Sequence, residues 1–206
     1  PDALVETRGS SSTIVENSKA RTSDEDPFKI AEQLLQPLLP VDHSIDAPFI
    51  SGLMGYFGYD LGRQLVPIHD STHPVDDLPD MRIGRYLWSL VINHQSRRSQ
   101  LFFHQKCPES LRQELRDRFE RVSDQDTSSA STFRLTQRFQ PTTSPDQYRA
   151  AIGAIKDYIN SGDCYQTNYT QHLSAPYEGD VWPAYLALRE ATAAPYSAFW
   201  QWEDQA

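Results

Sequence analysis

Cysteine is scarce in this sequence: Cys107 and Cys164 are the only two. A secreted disulfide scaffold carries more, in closely spaced pairs, so free thiols in a reducing cytoplasm are the expected state. Positive charge is also in short supply, with 19 Lys and Arg against 28 Asp and Glu and a formal net charge of -9. That balance leaves no basic face and argues against nucleic acid or anionic membrane as partners. No apolar run approaches the length of a membrane span, and no signal peptide opens the chain. A cytoplasmic location is the expectation. Ten Tyr, nine Phe and four Trp, by contrast, argue against disorder.

Several chemistries lack their residues. The glycines Gly52, Gly55 and Gly58 recur every third position, which is neither a dinucleotide fingerprint nor a phosphate loop. Three glycines would weaken a helix, so a strand packed closely on its neighbour is expected there. His69 and His73 have a spacing that suits a metal on a helix, but they sit in a proline-bearing loop, Pro67 to Pro79, without a third ligand. Neither cysteine has a Cys-x-x-Cys partner, and no Gly-x-Ser-x-Gly elbow is present.

The elements can be placed by their punctuation. Thr13-Ile14-Val15 is a short strand in a polar start. Asp26 caps a helix with Pro27 in its first turn; Phe28, Ile30, Ala31, Leu34, Leu35 and Leu38 form its apolar face, and Pro40 stops it. Tyr86 to Ile92 is a strand, Asn93 to Ser99 a turn, and the return strand begins at Gln100. A helix begins at Pro108, with Leu111, Leu115, Phe119 and Val122 on one face. Ser123 to Thr132 is a polar linker. Ser144-Pro145-Asp146-Gln147 is a capping box; Tyr148, Ala151, Ile152, Ile155 and Ile159 form the face to be buried, and Gly162 ends that helix. Cys164 to Leu173 is expected to be a strand with Gln166, Asn168 and Thr170 on one polar face. A last helix runs from about Asp180 to Arg189, and a final strand starts near Tyr196. Helices and antiparallel strands in blocks define an α+β class. The polar face after Cys164 fits a solvent face and a polar cavity equally, because a buried amide left unbonded costs about 1–3 kcal/mol.

At this strand the sequence resembles a known family. Tyr158-Ile159-Asn160-Ser161-Gly162-Asp163-Cys164-Tyr165-Gln166-Thr167-Asn168 is similar to the "YI-x-x-GD-x-YQ-x-N" signature of the anthranilate synthase and aminodeoxychorismate synthase component I family. Three further blocks agree in order: Gly55 to Arg63 with "G-x-FGYDLGR", Pro79 to Trp88 with "PDM-x-x-G-x-Y-x-W", and Ala194 to Phe199 with "APYSAF". Gly62, Trp88, Asn168 and Ser197 resemble the aminodeoxychorismate branch; anthranilate synthase component I is the alternative, and a non-catalytic amino-acid-binding module is a third reading.

The resemblance implies an α/β sandwich of two packed, largely antiparallel sheets with outer helices. It divides the chain into an N-terminal family region, 1–135, and the beginning of the chorismate-binding region, 136–206. It implies amination of chorismate to 4-amino-4-deoxychorismate for para-aminobenzoate and folate synthesis, with Mg²⁺ on the substrate's carboxylate and ammonia from a glutamine amidotransferase subunit. The metal-binding glutamates and the lysine of "PIKGT" belong to a later part of the family pattern. The start at Pro1 and the stop after Trp202 are read as cuts, so an incomplete sandwich, inactive alone, is expected. Gln166 aligns with the position of a water-activating Lys in isochorismate synthases and is the candidate catalytic-pocket residue. Pro195, Tyr196 and Ser197 align with one side of the tryptophan pocket of anthranilate synthases and are candidate effector-site residues. The family has Arg where this chain has His172.

Overall fold

The computed structural model describes residues 1–40, 44–66, 78–121 and 132–201. His69, His73, Val122 and most of the loops expected at 67–79 and 123–132 lie outside the described residues. The chain divides into two compact units, Pro1–Ser123 and Asp124–Ala206.

The first unit is built on an antiparallel sheet of β1 (Ala3–Arg8), β2 (Ser11–Glu16), β3 (Lys19–Ser23), β4 (Gly52–Phe57) and β5 (Met81–Tyr86), in the order β3-β2-β1-β5-β4. Asn17 and Ser18 both take positive φ, 51° and 61°, in the two-residue turn between β2 and β3, whose twist matches that of the strands it joins. β5 returns from far along the chain to pair with β1, Val5 opposite Ile83. Alternation then places Ala3, Val5, Ile14, Met81 and Ile83 on one face. Onto that face packs α1 (Pro27–Leu35) through Ile30, Ala31 and Leu34. Each large apolar side chain so buried contributes about 1.5–3 kcal/mol.

α1 forms where its signals put it. The Asp26 carboxylate accepts a bond from the Phe28 N–H at 2.8 Å, and Pro27 occupies the first turn. Phe28 departs from the expected core face: it is 41% exposed and stacks on Phe57 with ring centroids 5.4 Å apart. The helix tightens into a 3₁₀ turn at Gln36–Leu38.

One charged group is built into this core. Arg85 is 7% exposed. Its Nη2 donates to Asp2 Oδ2 at 2.7 Å and to Glu16 Oε1 at 2.6 Å, and its Nη1 donates to the Leu34 carbonyl at 3.4 Å. The guanidinium thus joins the start of β1, the end of β2 and the last turn of α1.

The glycine-rich strand packs as its spacing predicts. A Cβ on Gly55 would lie 2.1 Å from the Arg82 carbonyl oxygen, and one on Gly58 would lie 2.8 Å from that of Asp80. The Gly58 N–H donates to this same Asp80 oxygen at 2.6 Å.

The strand expected from Tyr86 to Ile92 is two strands. β5 ends at Tyr86, and β6 (Trp88–Asn93) pairs with β7 (Arg98–Phe103) in a separate hairpin. The break falls at Leu87, whose carbonyl accepts from the His104 N–H at 2.8 Å. The two halves find different strand partners, which an unbroken apolar run does not announce. α2 (Glu109–Glu120) follows, with Leu115 buried and Leu111 and Phe119 half-buried.

The second unit contains β8 (Phe133–Leu135), β9 (Gln140–Pro141), α3 (Pro145–Ser161), β10 (Leu173–Ser174), β11 (Tyr177–Gly179) and α4 (Val181–Thr192). β8 pairs with β11 and β9 with β10, both antiparallel. The capping box forms: Ser144 Oγ accepts from the Gln147 N–H at 3.2 Å, and Gln147 Oε1 accepts from the Ser144 N–H at 2.9 Å. Asp180 caps α4 by accepting from the Trp182 N–H at 3.0 Å. The apolar face expected to be buried on α3 is not: neither α3 nor α4 contains a buried residue. The ladders of this unit, two and three residues long, are too small to cover a helix face. Two expected strands are also absent. Residues 164–172 and 194–201 are irregular, because among the described residues neither segment has a strand to supply the ladder that an isolated strand requires.

Candidate functional site

The segment carrying Gln166 leaves α3 through a defined stop. Gly162 takes φ 83°, the left-handed conformation glycine adopts without penalty. Its N–H donates to Ile159 O at 3.2 Å, and the Asp163 N–H reaches back to Tyr158 O at 3.0 Å. These are the bonds of a Schellman closure. The Ser161 hydroxyl lies 2.6 Å from Asp163 Oδ2 and 3.1 Å from Tyr158 O. Its single proton serves one acceptor at a time, and the carboxylate is the stronger.

Beyond that stop the chain runs exposed. Tyr165 is 98% exposed, and Gln166 is exposed and makes no hydrogen bond among the described residues. Cys164 Sγ lies 3.4 Å from Thr167 Oγ1. Order returns at Tyr169, whose ring packs on Tyr148 of α3 with centroids 5.5 Å apart. The His172 carbonyl then accepts from the Thr142 N–H at 3.0 Å and its hydroxyl at 3.3 Å.

The other candidate group follows α4. Ala193 takes φ 46° at the helix end, and Pro195-Tyr196 forms a turn. Tyr196 is 97% exposed, and Ser197 Oγ donates to Ala194 O at 3.3 Å. Phe199 anchors this stretch on Trp182 and Tyr185, with centroids 5.3 and 5.1 Å away. Among the described residues no hydrogen bond or ring contact joins Pro195, Tyr196 or Ser197 to Gln166.

The first unit holds polar groups that the sequence did not single out. On the sheet face opposite α1, Arg82 is ion-paired with Glu6, and the Tyr56 hydroxyl donates to Pro79 O at 2.9 Å. Burial, then the neighbouring Glu6 carboxylate, raise the Tyr56 phenol above its usual range. A cleft of about 570 Å³ opens between Leu38, Ile45, Phe49, Phe103 and His104. The pairing of β5 with both β1 and β4 brings the first group together, Glu6 and Tyr56 each opposite Arg82, and no short motif encodes such pairings. Cys107 is buried and Cys164 half-buried, both as free thiols. Among the described residues no cluster of three or more His, Cys, Asp or Glu is placed to hold a metal, and no helix is long and apolar enough to cross a membrane.

This chain belongs to the family described as chorismate binding enzyme, whose pattern matches residues 4–206. Among its relatives, aminodeoxychorismate synthase component 1 of Escherichia coli is 33% identical over 100% of this chain and 44% of its own length. The protein of that name from Klebsiella aerogenes is 36% identical over 97% of this chain and 43% of its own length. Anthranilate synthase component 1 of Synechocystis is 26% identical over 97% of this chain and 44% of its own length. The chain therefore spans less than half the length of these relatives. Its fold is that of the crystal structure of anthranilate synthase component I from Streptococcus pneumoniae: the TM-score is 0.78 at 20% identity, covering 97% of this chain and 46% of that one.

Proposed function

We propose that these residues belong to component 1 of an aminodeoxychorismate synthase. The full-length protein would replace the 4-hydroxyl of chorismate with an amino group: ammonia forms the new C–N bond, the C–O bond breaks and water leaves. The product, 4-amino-4-deoxychorismate, leads to para-aminobenzoate and folate, and a glutamine amidotransferase subunit supplies the ammonia. The observation that carries this reading is the order of identities: relatives named aminodeoxychorismate synthase are 27–36% identical to this chain, the enterobacterial ones 31–36%, whereas relatives named anthranilate synthase are 25–26% identical.

In this reading Gln166 faces the substrate. A carboxamide donates and accepts hydrogen bonds but takes no proton at neutral pH. It can orient ammonia, which attacks without prior deprotonation, where a lysine of lowered pKa would activate water. Mg²⁺ on the substrate's carboxylate belongs to the proposal for the full-length protein. Among the described residues no group of three or more His, Cys, Asp or Glu is placed to hold it.

The test is to supply the full-length protein with chorismate, ammonia and Mg²⁺ and identify the product. Formation of aminodeoxychorismate, followed as para-aminobenzoate after coupling to a lyase, is expected. Formation of fluorescent anthranilate instead would assign the chain to the other branch. Gln166→Lys is expected to raise the share of the water-derived product, and an unchanged product ratio would remove Gln166 from this role.

A further inference from the structure

We propose that the outer edge of β4 is a strand-docking site, and that its occupant is an uncharged strand from the part of the full-length protein outside residues 1–206. The proposal rests on the reading of these residues as part of a longer component 1, but not on which branch of the family that protein serves.

In the order β3-β2-β1-β5-β4 the sheet has two edges, β3 and β4. Along an antiparallel ladder, alternate residues turn both N–H and C=O to the same neighbour, so an edge strand leaves about half of its amides facing outward. Sequences that keep such an edge in solvent protect it with charge, above all with lysine. β3 follows that rule, for Lys19 and Arg21 lie on it. β4 does not. Gly52–Phe57 contains no charged residue and no proline, and Met54 and Phe57 are exposed large apolar side chains on it. Among the described residues no strand pairs with its outer side. An edge of this kind accepts an extended segment through main-chain hydrogen bonds, and its side chains select the alternate residues of the guest.

Two observations select the occupant. The described strands outside this sheet are paired with one another: β6 with β7, β8 with β11 and β9 with β10. This chain also matches only 44% of the length of its Escherichia coli relative, so a full-length protein of that size holds more residues outside this segment than within it. The guest strand is uncharged because directly opposed side chains stand about 4.5–5.5 Å apart, and β4 offers no charge to pair with one.

Hydrogen exchange read by mass spectrometry on the full-length protein, without the amidotransferase subunit, tests the edge. All of the β4 amides are expected to exchange slowly, as in a strand paired on both sides, while about half of those in β3 exchange fast. A benzoylphenylalanine photoprobe placed at Met54 identifies the occupant. Irradiation is expected to link it to a peptide outside residues 1–206, at monomer mass on a denaturing gel. Fast exchange of about half the β4 amides, as in β3, would overturn the proposal. So would the absence of any link, a link within residues 1–206, a link at dimer mass, which makes the occupant a second copy, or protection that appears only when the amidotransferase subunit is added. Neither readout involves chorismate. Production of anthranilate therefore leaves the docking edge standing, and failure of the edge leaves the assigned reaction standing.

Discussion

Adding one methyl group at Gly55 puts the packing of β4 against β5 to the test. The Cβ of Gly55→Ala would stand 2.1 Å from Arg82 O, 2.6 Å from Ile83 Cα and 2.9 Å from Arg82 C. All three are backbone atoms of β5, so no side chain can swing aside. β5 itself is held between β1 and β4 in the sheet, which leaves retreat of β4 as the only relief. That retreat loosens the pairs on either side, Met54 with Gly84 and Tyr56 with Arg82. Overpacking of this kind costs about 1–3 kcal/mol. For a chain of this size each kcal/mol shifts the melting midpoint by about 2–4 °C, so a fall of about 2–12 °C is expected. Circular dichroism melts of wild type and Gly55→Ala measure it. Gly153→Ala is the control: nothing lies within 4 Å of its added Cβ, and alanine in the interior of α3 should stabilise by about 0.5–1 kcal/mol. An unchanged midpoint for Gly55→Ala would refute the close approach of the two backbones.

Three other outcomes are expected. Arg85→Ala removes the shared donor of Asp2, Glu16 and Leu34 O, and urea denaturation should show a loss of about 3 kcal/mol, at the low end for a broken buried pair because the carboxylates keep some solvent. Burial raises the phenols of Tyr56 and Tyr86 above the usual 10. The folded state then holds these protons while the unfolded state releases them, so stability should fall as pH rises above about 10 and Tyr86→Phe should flatten part of that fall. Absorbance titration at alkaline pH would count against the burial if all tyrosines ionised together. The effector reading of Pro195, Tyr196 and Ser197 expects saturable heat when L-tryptophan is titrated into the full-length protein, lost in Tyr196→Ala; calorimetry without such heat would discard it.

What could be read in advance was local. Asp26 with Pro27, the Ser144–Gln147 box and Asp180 each carry the cap and the first turn within a few residues, and all three helices form there. The glycine spacing foretold a close approach because only a missing Cβ permits one. β1 and β3 were missed: Ala3–Arg8 is a strand between β2 and β5, the latter from far along the chain, and Lys19–Ser23 is one because a two-residue turn folds it onto β2. The error at 164–172 ran the other way. Polar alternation looked like a strand, but the segment bends at Tyr165 and brings Cys164 Sγ within 3.4 Å of Thr167 Oγ1, a path no ladder holds. Gln166 itself was visible only through resemblance to a family, since nothing in the physics of one amide marks it as functional.

The five-stranded sheet stops at β3, and the manner of its stopping has a consequence for behaviour at high concentration. Its outer rim offers unsatisfied amides and carbonyls over Lys19–Ser23, the kind of template on which a second molecule could add a strand and begin a fibre. Lys19 and Arg21 set two like charges on that rim, so any copy laying its own β3 alongside would bring cation against cation. The protein thus guards this edge against runaway self-assembly with two side chains that have no part in its core.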